Sequence, residues 1–174
     1  MRKLANEELN RLSSEEFRDA DKRKLIIILD NVRSLNNVGS VFRTADAFLV
    51  EAIYLCGITG TPPNKEIYKT ALGADETVSW QYFATTMEAV AACKQNGYKV
   101  YSVEQAEGSI MLNNFTTEND ALALVFGNEV NGVDIDVINA SAGCIEIPQD
   151  GSKHSLNISV SIGIVVWQVI KDSM

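Results

Sequence analysis

Histidine is nearly missing from this chain: His154 is the only one among 174 residues, alongside three prolines and three cysteines. With one imidazole and no His/Cys/Asp cluster at ligand spacing, no metal site is expected. A Ser–His–acid triad would have to pair His154 with adjacent Ser155, a poor placement for proton transfer, so His154 reads as a solvated loop residue. Cys56, Cys93 and Cys144 are odd in number, far apart and set among apolar residues. That pattern fits buried thiols in a reducing compartment, and neither a disulfide framework nor a zinc site. No apolar run reaches the length of about eighteen residues that marks a membrane span. The charged start, Met1–Leu12, lacks the apolar core of a signal peptide. A cytoplasmic protein without membrane contact is expected.

Phosphate cradles are absent too. The sequence has no GxxxxGK[ST], and no GxGxxG follows its first apolar run; Gly57-x-x-Gly60 is too short to count. P-loop nucleotide hydrolysis and dinucleotide redox chemistry are therefore disfavoured.

Positive charge is scarce: 15 Lys and Arg stand against 23 Asp and Glu, a net charge of −8. Seven of the basic residues (Arg2, Lys3, Arg11, Arg18, Lys22, Arg23, Lys24) fall in the first 24 positions. Such a balance argues against a strongly basic nucleic-acid binder. Of the remaining bases, Arg33, Arg43 and Lys153 lie inside or beside polar loops. Two readings stay open, a solvated acidic surface with a mixed-charge leading helix, and positive charge gathered near a site.

Residues Asn6–Lys22 read as a polar helix, weakly amphipathic through Leu9, Leu12 and Phe17. The continuous apolar run Leu25–Leu29 suits a strand buried on both faces, and similar runs recur at Ala52–Cys56, Lys99–Val103, Ala121–Phe126 and Cys144–Ile147. Between them, Val38, Val41, Phe42 and Ala45 keep helical spacing. Thr86–Gln95 is a run of helix formers with a Thr85 or Thr86 cap, ended by Gly97. Ser109–Phe115 and Val133–Ala140 suit short helical turns, and Gly57–Glu66 is the one long irregular stretch. This alternation predicts an α/β domain with a mostly parallel sheet flanked by helices, over residues 25–174, preceded by a helical extension, 1–24. The tail from Ser155 to Ile170 is apolar for too long to be an average strand and reads as a buried helix. Its small residues Ser155, Ser159 and Gly163 lie four apart, suiting close packing against a second subunit or within the chain.

Three Asn- and Gly-rich loops begin where apolar runs end: Asn31–Gly39, Gly127–Gly132 and Pro148–Asn157. In parallel α/β sheets, ligands bind beyond the carboxyl ends of the strands, so these loops are expected to share one pocket. Arg43 sits off the apolar stripe of the helix that opens at the first loop. It is either a functional cation or a surface arginine paired with Asp46.

These loops resemble the three signature motifs of the SpoU/TrmH family, within the SPOUT methyltransferase superfamily. Asn37-Val-Gly-Ser-Val-Phe-Arg43 resembles the first motif. Phe126-Gly-Asn-Glu129-Val-Asn-Gly132 resembles the second, and Ile147-Pro-x-x-Gly151-x-x-x-Ser155-Leu-Asn157 the third. Thr70-Ala-Leu-Gly73-Ala resembles a further family segment, and the likeness runs from Leu25 to Gln168. One departure is Leu49, where the family usually has glycine.

The resemblance implies a C-terminal trefoil knot (the SPOUT fold), an exception to the general absence of knots, and a homodimer. It also implies S-adenosylmethionine as cofactor, contacted around Val103, Gly127, Ile147 and Leu156, and methyl transfer to a ribose 2′-hydroxyl of RNA. Arg43 would take the hydroxyl proton or, as a permanent cation, anchor phosphate and stabilise the developing alkoxide. Asn37, Glu129, Ser155 and Asn157 would orient the reacting groups. Transfer RNA is favoured as acceptor because no separate RNA-binding domain precedes the motifs; 23S ribosomal RNA is the alternative. The leading segment would supply phosphate contacts. Competing readings are an RNA-binding homologue without catalysis and a small-molecule enzyme that uses nucleotides.

Overall fold

The computed structural model describes residues 1–116 and 121–171; the last three residues of the expected 25–174 domain lie outside them. The run Leu25–Leu29 forms the middle of strand β1 (Arg23–Asp30). Leu25, Ile27 and Leu29 face a core shared with helix α2 (Leu35–Ala47) and helix α7 (Ile158–Ile170). Ile26 and Ile28 face the opposite core, with Ala89, Val90 and Cys93 of α5 (Thr86–Gln95) and Val137 of α6 (Ile135–Ala140). Both faces are covered, so the alternation of side chains brings no polar residue and the strand reads as continuous apolar sequence. Each such side chain contributes about 1.5–3 kcal/mol by leaving water.

Six further strands complete the sheet: β2 (Val50–Cys56), β3 (Trp80–Phe83), β4 (Lys99–Val103), β5 (Ile110–Met111), β6 (Leu122–Phe126) and β7 (Gly143–Glu146). Their order is β3-β2-β1-β6-β4-β7-β5 and every pairing is parallel. All carboxyl ends therefore open on one edge, and the polar loops gather there. The last third of the chain is woven through the earlier part. Strand β6 enters between β1 and β4, β7 lies beside β4, and α7 returns against α2. The knot implied by the family resemblance accords with this weave.

The tail is a helix, as its length demanded, and Thr85 caps α5, its Oγ1 accepting the Glu88 N–H at 3.3 Å. The leading segment differs from expectation. It is a 3₁₀ turn at Asn6–Leu9 and a separate helix, α1 (Ser14–Asp19). Asn10 takes a left-handed conformation (φ 45°), and Ser13 opens a new helix through reciprocal hydrogen bonds with Glu16. Phe17 alone of this segment joins the core. Strands β3 and β5 and the helices α3 (Lys65–Ala71) and α4 (Ala74–Thr77) were not legible in the sequence, being too short or too exposed for a hydrophobic period to register. The row Ser155, Ser159, Gly163 is no packing face within the chain. Ser155 precedes α7, Ser159 donates to Asn157 Oδ1 at 2.7 Å, and a Cβ on Gly163 would meet open space.

Leu49, which replaces the family's glycine, keeps the left-handed turn (φ 52°) at a cost of roughly 1–2 kcal/mol. Its carbonyl accepts the Arg23 N–H at 2.8 Å at the start of β1, and its side chain packs on the core. Gly39, the glycine of the first motif, meets a closer constraint. A Cβ there would lie 2.1 Å from Thr70 Oγ1 and 2.3 Å from the Ile67 carbonyl oxygen, because α2 and α3 approach backbone to backbone. Thr70 seals the contact by donating to the Asn36 carbonyl at 2.9 Å. The expected result for Gly39→Ala is a loss of about 1–3 kcal/mol, or roughly 2–10 °C in Tm, measured by calorimetry.

Candidate active-site cleft

Beyond the carboxyl ends of β6, β4 and β7 lies a cleft of about 710 Å³. Its apolar walls are Val103, Phe126, Ile147, Leu156 and Ile158, and its polar rim comes from the second and third loops. The volume falls within the range of small-molecule sites. Apolar walls for a flat heterocycle, with exposed loop backbone beside them, fit an adenosyl group.

Three side chains tie the loops together. The Glu129 carboxylate reaches across to the first loop, accepting the Arg33 N–H at 3.0 Å, the Ser34 N–H at 3.1 Å and the Asn37 Nδ2–H at 3.3 Å. Asn37 Oδ1 in turn accepts Asn157 Nδ2–H at 3.2 Å. Asn157 caps α7, its Oδ1 accepting the Ser159 N–H at 2.9 Å. Ser34 caps α2 through the Asn37 N–H at 3.3 Å. Residues from all three motifs thus form one chain of hydrogen bonds. Packing against the loop pushes the Glu129 carboxyl up, but the N–H groups of Arg33, Glu129 itself and Ser34, with the Asn37 amide, outweigh that and hold it below the usual carboxylate range.

Behind this chain stands a buried anchor, Asp30, at the end of β1. It accepts from the Thr86 hydroxyl, from Asn31 Nδ2 at 2.9 Å and from the Asp134 N–H at 3.1 Å, joining β1 to the starts of α5 and α6. Asn128 Nδ2 donates to the Asn31 carbonyl at 2.7 Å, while its Oδ1 accepts the Val130 N–H at 2.8 Å. Neither Asp30 nor Asn128 was singled out from sequence; Asp30 is the acid that closes an apolar strand and Asn128 lies within the second motif loop, and those positions are the signal that could have found them.

Of the expected site residues, Val103, Gly127, Glu129, Ile147, Ser155, Leu156 and Asn157 line the cleft, and Asn37 joins it through Glu129 and Asn157. Arg43 does not line it. It is exposed on α2 and makes no hydrogen bond or ion pair among the described residues. The pairing with Asp46 is not formed: Asp46 Oδ2 accepts from Thr77 Oγ1 at 3.2 Å instead. His154 touches the cleft, and its carbonyl accepts Gln105 Nε2–H at 2.7 Å. Glu104 and Gln105, which follow β4 directly, also line the cleft and were missed. An acid at the end of an apolar run was the available clue. The three cysteines are buried, as expected, and burial pushes the Cys56 and Cys93 thiols up to about 12, leaving them unreactive. Among the described residues no cluster of metal-ligating side chains and no membrane-length apolar helix occurs.

The Glu129 geometry has a readable pH dependence. A carboxyl lowered in the folded state stabilises the loops fully above its ordinary range, and that contribution fades as pH falls through the lowered value. The Arg33 and Ser34 amide resonances should therefore titrate together by NMR, with a midpoint below the ordinary carboxylate value. In Glu129→Ala that step should vanish and exchange of both amides should quicken tenfold or more. Amides that titrate unchanged in the variant would break the assignment.

The chain matches the family model described as the SpoU rRNA Methylase family over residues 24–167. It is 27% identical over 168 residues to the 23S rRNA (guanosine-2′-O-)-methyltransferase RlmB of Vibrio cholerae, covering 96% of this chain and 67% of that one. It is also 27% identical over 144 residues to an uncharacterized tRNA/rRNA methyltransferase of Borreliella burgdorferi, covering 83% of this chain and 62% of the relative. Among solved structures, an AdoMet-bound rRNA methyltransferase from Sinorhizobium meliloti superimposes with a TM-score of 0.82 at 26% identity, over 91% of this chain and 60% of that one. The chain thus spans only about three fifths to two thirds of the length of these relatives. With its three motif loops hydrogen-bonded into one cleft at the carboxyl edge of a parallel sheet, and with that match across most of its length, the chain belongs to the SpoU rRNA Methylase family.

Proposed function

We propose that the protein transfers a methyl group from S-adenosylmethionine to a ribose 2′-hydroxyl of RNA. The observation that carries this reading is the hydrogen-bonded chain Glu129–Asn37–Asn157, which joins all three motifs at the mouth of an adenosyl-sized cleft. Val103, Ile147 and Leu156 would hold the adenine, with backbone from Gly127 and its neighbours beside it. The bound cofactor supplies a methyl group activated by a sulfonium. Asn157 and Asn37 would set the acceptor ribose in line, and such positioning can contribute on the order of 7–11 kcal/mol. Glu129 is occupied by three donors from the first loop, which suits a residue that holds geometry rather than one that moves protons.

Arg43 would then act from a second copy. Val160, Ile164 and Trp167 form an exposed apolar stripe along α7, beside α2, and the Trp167 ring packs tilted at 53° against Phe48 at the end of α2, with centroids 6.1 Å apart. A homodimer closed over that stripe would bury it and carry the unpaired Arg43 towards the partner's cleft, where its charge stabilises the forming alkoxide. Mixing Arg43→Ala with Asn157→Ala decides this. Each variant alone should lose 10²-fold or more in kcat, and mixed dimers should regain activity, because one of their two clefts is intact. No recovery on mixing would place Arg43 in its own chain's cleft instead.

Transfer RNA is our preferred acceptor class. Arg33 and Lys153 are exposed near the cleft and form no ion pair among the described residues, and so little charge suits a compact RNA loop better than an extended duplex. Labelled methyl groups should enter unmodified tRNA in alkali-resistant dinucleotides; labelling of 23S rRNA fragments alone would reverse the choice, and labelling of neither would sink the enzymatic reading. In the leading segment Arg2 is paired with Glu8 at 2.6 Å, while Lys3 and Arg11 are exposed and within reach of phosphate. Neutralising both with glutamine should lower the slope of log affinity against log salt by about 1–2, and an unchanged slope would exclude the segment from the interface.

A further inference from the structure

Glu104 is the second carboxylate in the cleft, and unlike Glu129 it does not serve the first loop. It follows β4 directly, next to Val103. Its Oε1 accepts the Gln105 N–H at 2.8 Å and its Oε2 accepts the Val133 N–H at 3.0 Å. The carboxylate lies against Gly132, which takes φ 70° and has no Cβ; one built there would stand 2.1 Å from Glu104 Oε2. The last glycine of the second motif thus makes room for this acid. Among the described residues no lysine or arginine lines the cleft. Each carboxylate oxygen has two lone pairs, and each has spent one on the backbone. What remains is a rigid pair of acceptors facing a ligand site.

The donors it would meet follow from the strand order. Between β1 and β4 lies β6, so at a spacing of about 4.8 Å per strand Glu104 stands roughly 10 Å along the sheet from the end of β1. The reacting end of the cofactor belongs beside Asn37 and Asn157, on the β1 side. The adenine belongs among Val103, Ile147 and Leu156. The ribose joins the two, and its vicinal hydroxyls are paired donors that a carboxylate at a strand end can accept, as in other α/β nucleotide sites. We propose that Glu104 recognises the ribose hydroxyls of the cofactor, with Gln105 holding the third loop over it through the His154 carbonyl.

This inference rests on the cofactor reading above, and the experiment separates the two. Binding of S-adenosylhomocysteine, its 2′-deoxy and 3′-deoxy analogues and 5′-methylthioadenosine is measured by calorimetry on the wild type, Glu104→Gln and Glu104→Asp. Loss of one hydroxyl should weaken wild-type binding tenfold or more, and in Glu104→Gln that gap should shrink below threefold. The same variant should weaken 5′-methylthioadenosine as much as S-adenosylhomocysteine. A purely structural role would lower all affinities and leave the hydroxyl gap intact, which overturns the proposal. A variant that loses only S-adenosylhomocysteine also overturns it, because Glu104 would then serve the amino-acid end. If Glu104→Gln does not fold, the wild-type series still decides, since indifference to both hydroxyls refutes the assignment; Glu104→Asp tests the reach of the acid. Failure of the wild type to bind any of the four ligands would instead sink the cofactor reading, and this inference with it.

Discussion

The cleft depends on one carboxylate crossing between loops. Glu129 sits on the loop after β6, yet its hydrogen bonds go to the loop after β1, where the consecutive N–H groups of Arg33 and Ser34, at the entry to α2, point to its carboxylate. A negative charge beside a helix start is favourable, so this acid, bonded at the N-cap of α2, is both a clasp and a complement to that helix. Through Asn37 and Asn157 the same clasp reaches the start of α7. Two helix starts and three loops are thereby set relative to one another, and the positions of the motif side chains follow.

A parallel sheet makes such a clasp necessary. Its strands are buried on both faces, so the apolar core supplies stability without specifying where the loops beyond the carboxyl ends should stand. Asp30 shows how the chain meets that need from below. It is a buried acid at the end of an otherwise apolar strand, kept because Thr86, Asn31 and the Asp134 backbone supply its donors. Glu104 does the corresponding work at the end of β4, bridging to the loop after β6 through Val133. Acids at three strand ends or loops organise the site, which is why a net charge of −8 does not conflict with the polyanionic substrate proposed above: much of the acid near the cleft is spent on backbone N–H groups.

Most of the buried strands, the long helices and the three loops were legible in the sequence. The runs at Leu25–Leu29 and Leu122–Phe126 are apolar because both faces are covered, and Thr85 announces α5 through its cap. The break in the leading helix at Asn10, and the short elements β3, β5, α3 and α4, were not. A single left-handed residue carries no periodic signal, and elements of two to seven residues offer too few positions for one.

The sequence by itself determined the chemistry available at the site. Asn37, Glu129, Ser155 and Asn157 stand in ordered motifs, and a residue's type and its place in a motif are local properties. Tertiary structure alone decided which of these residues meet. It brought Glu129 to the amides of Arg33 and Ser34 and placed Glu104 against Gly132. It also left Arg43 exposed on α2, outside the cleft of its own chain. These are relations between residues tens of positions apart, created by the insertion of β6 between β1 and β4. No local pattern encodes a strand's neighbours, because parallel pairing is chosen by the packing of both faces of the whole sheet.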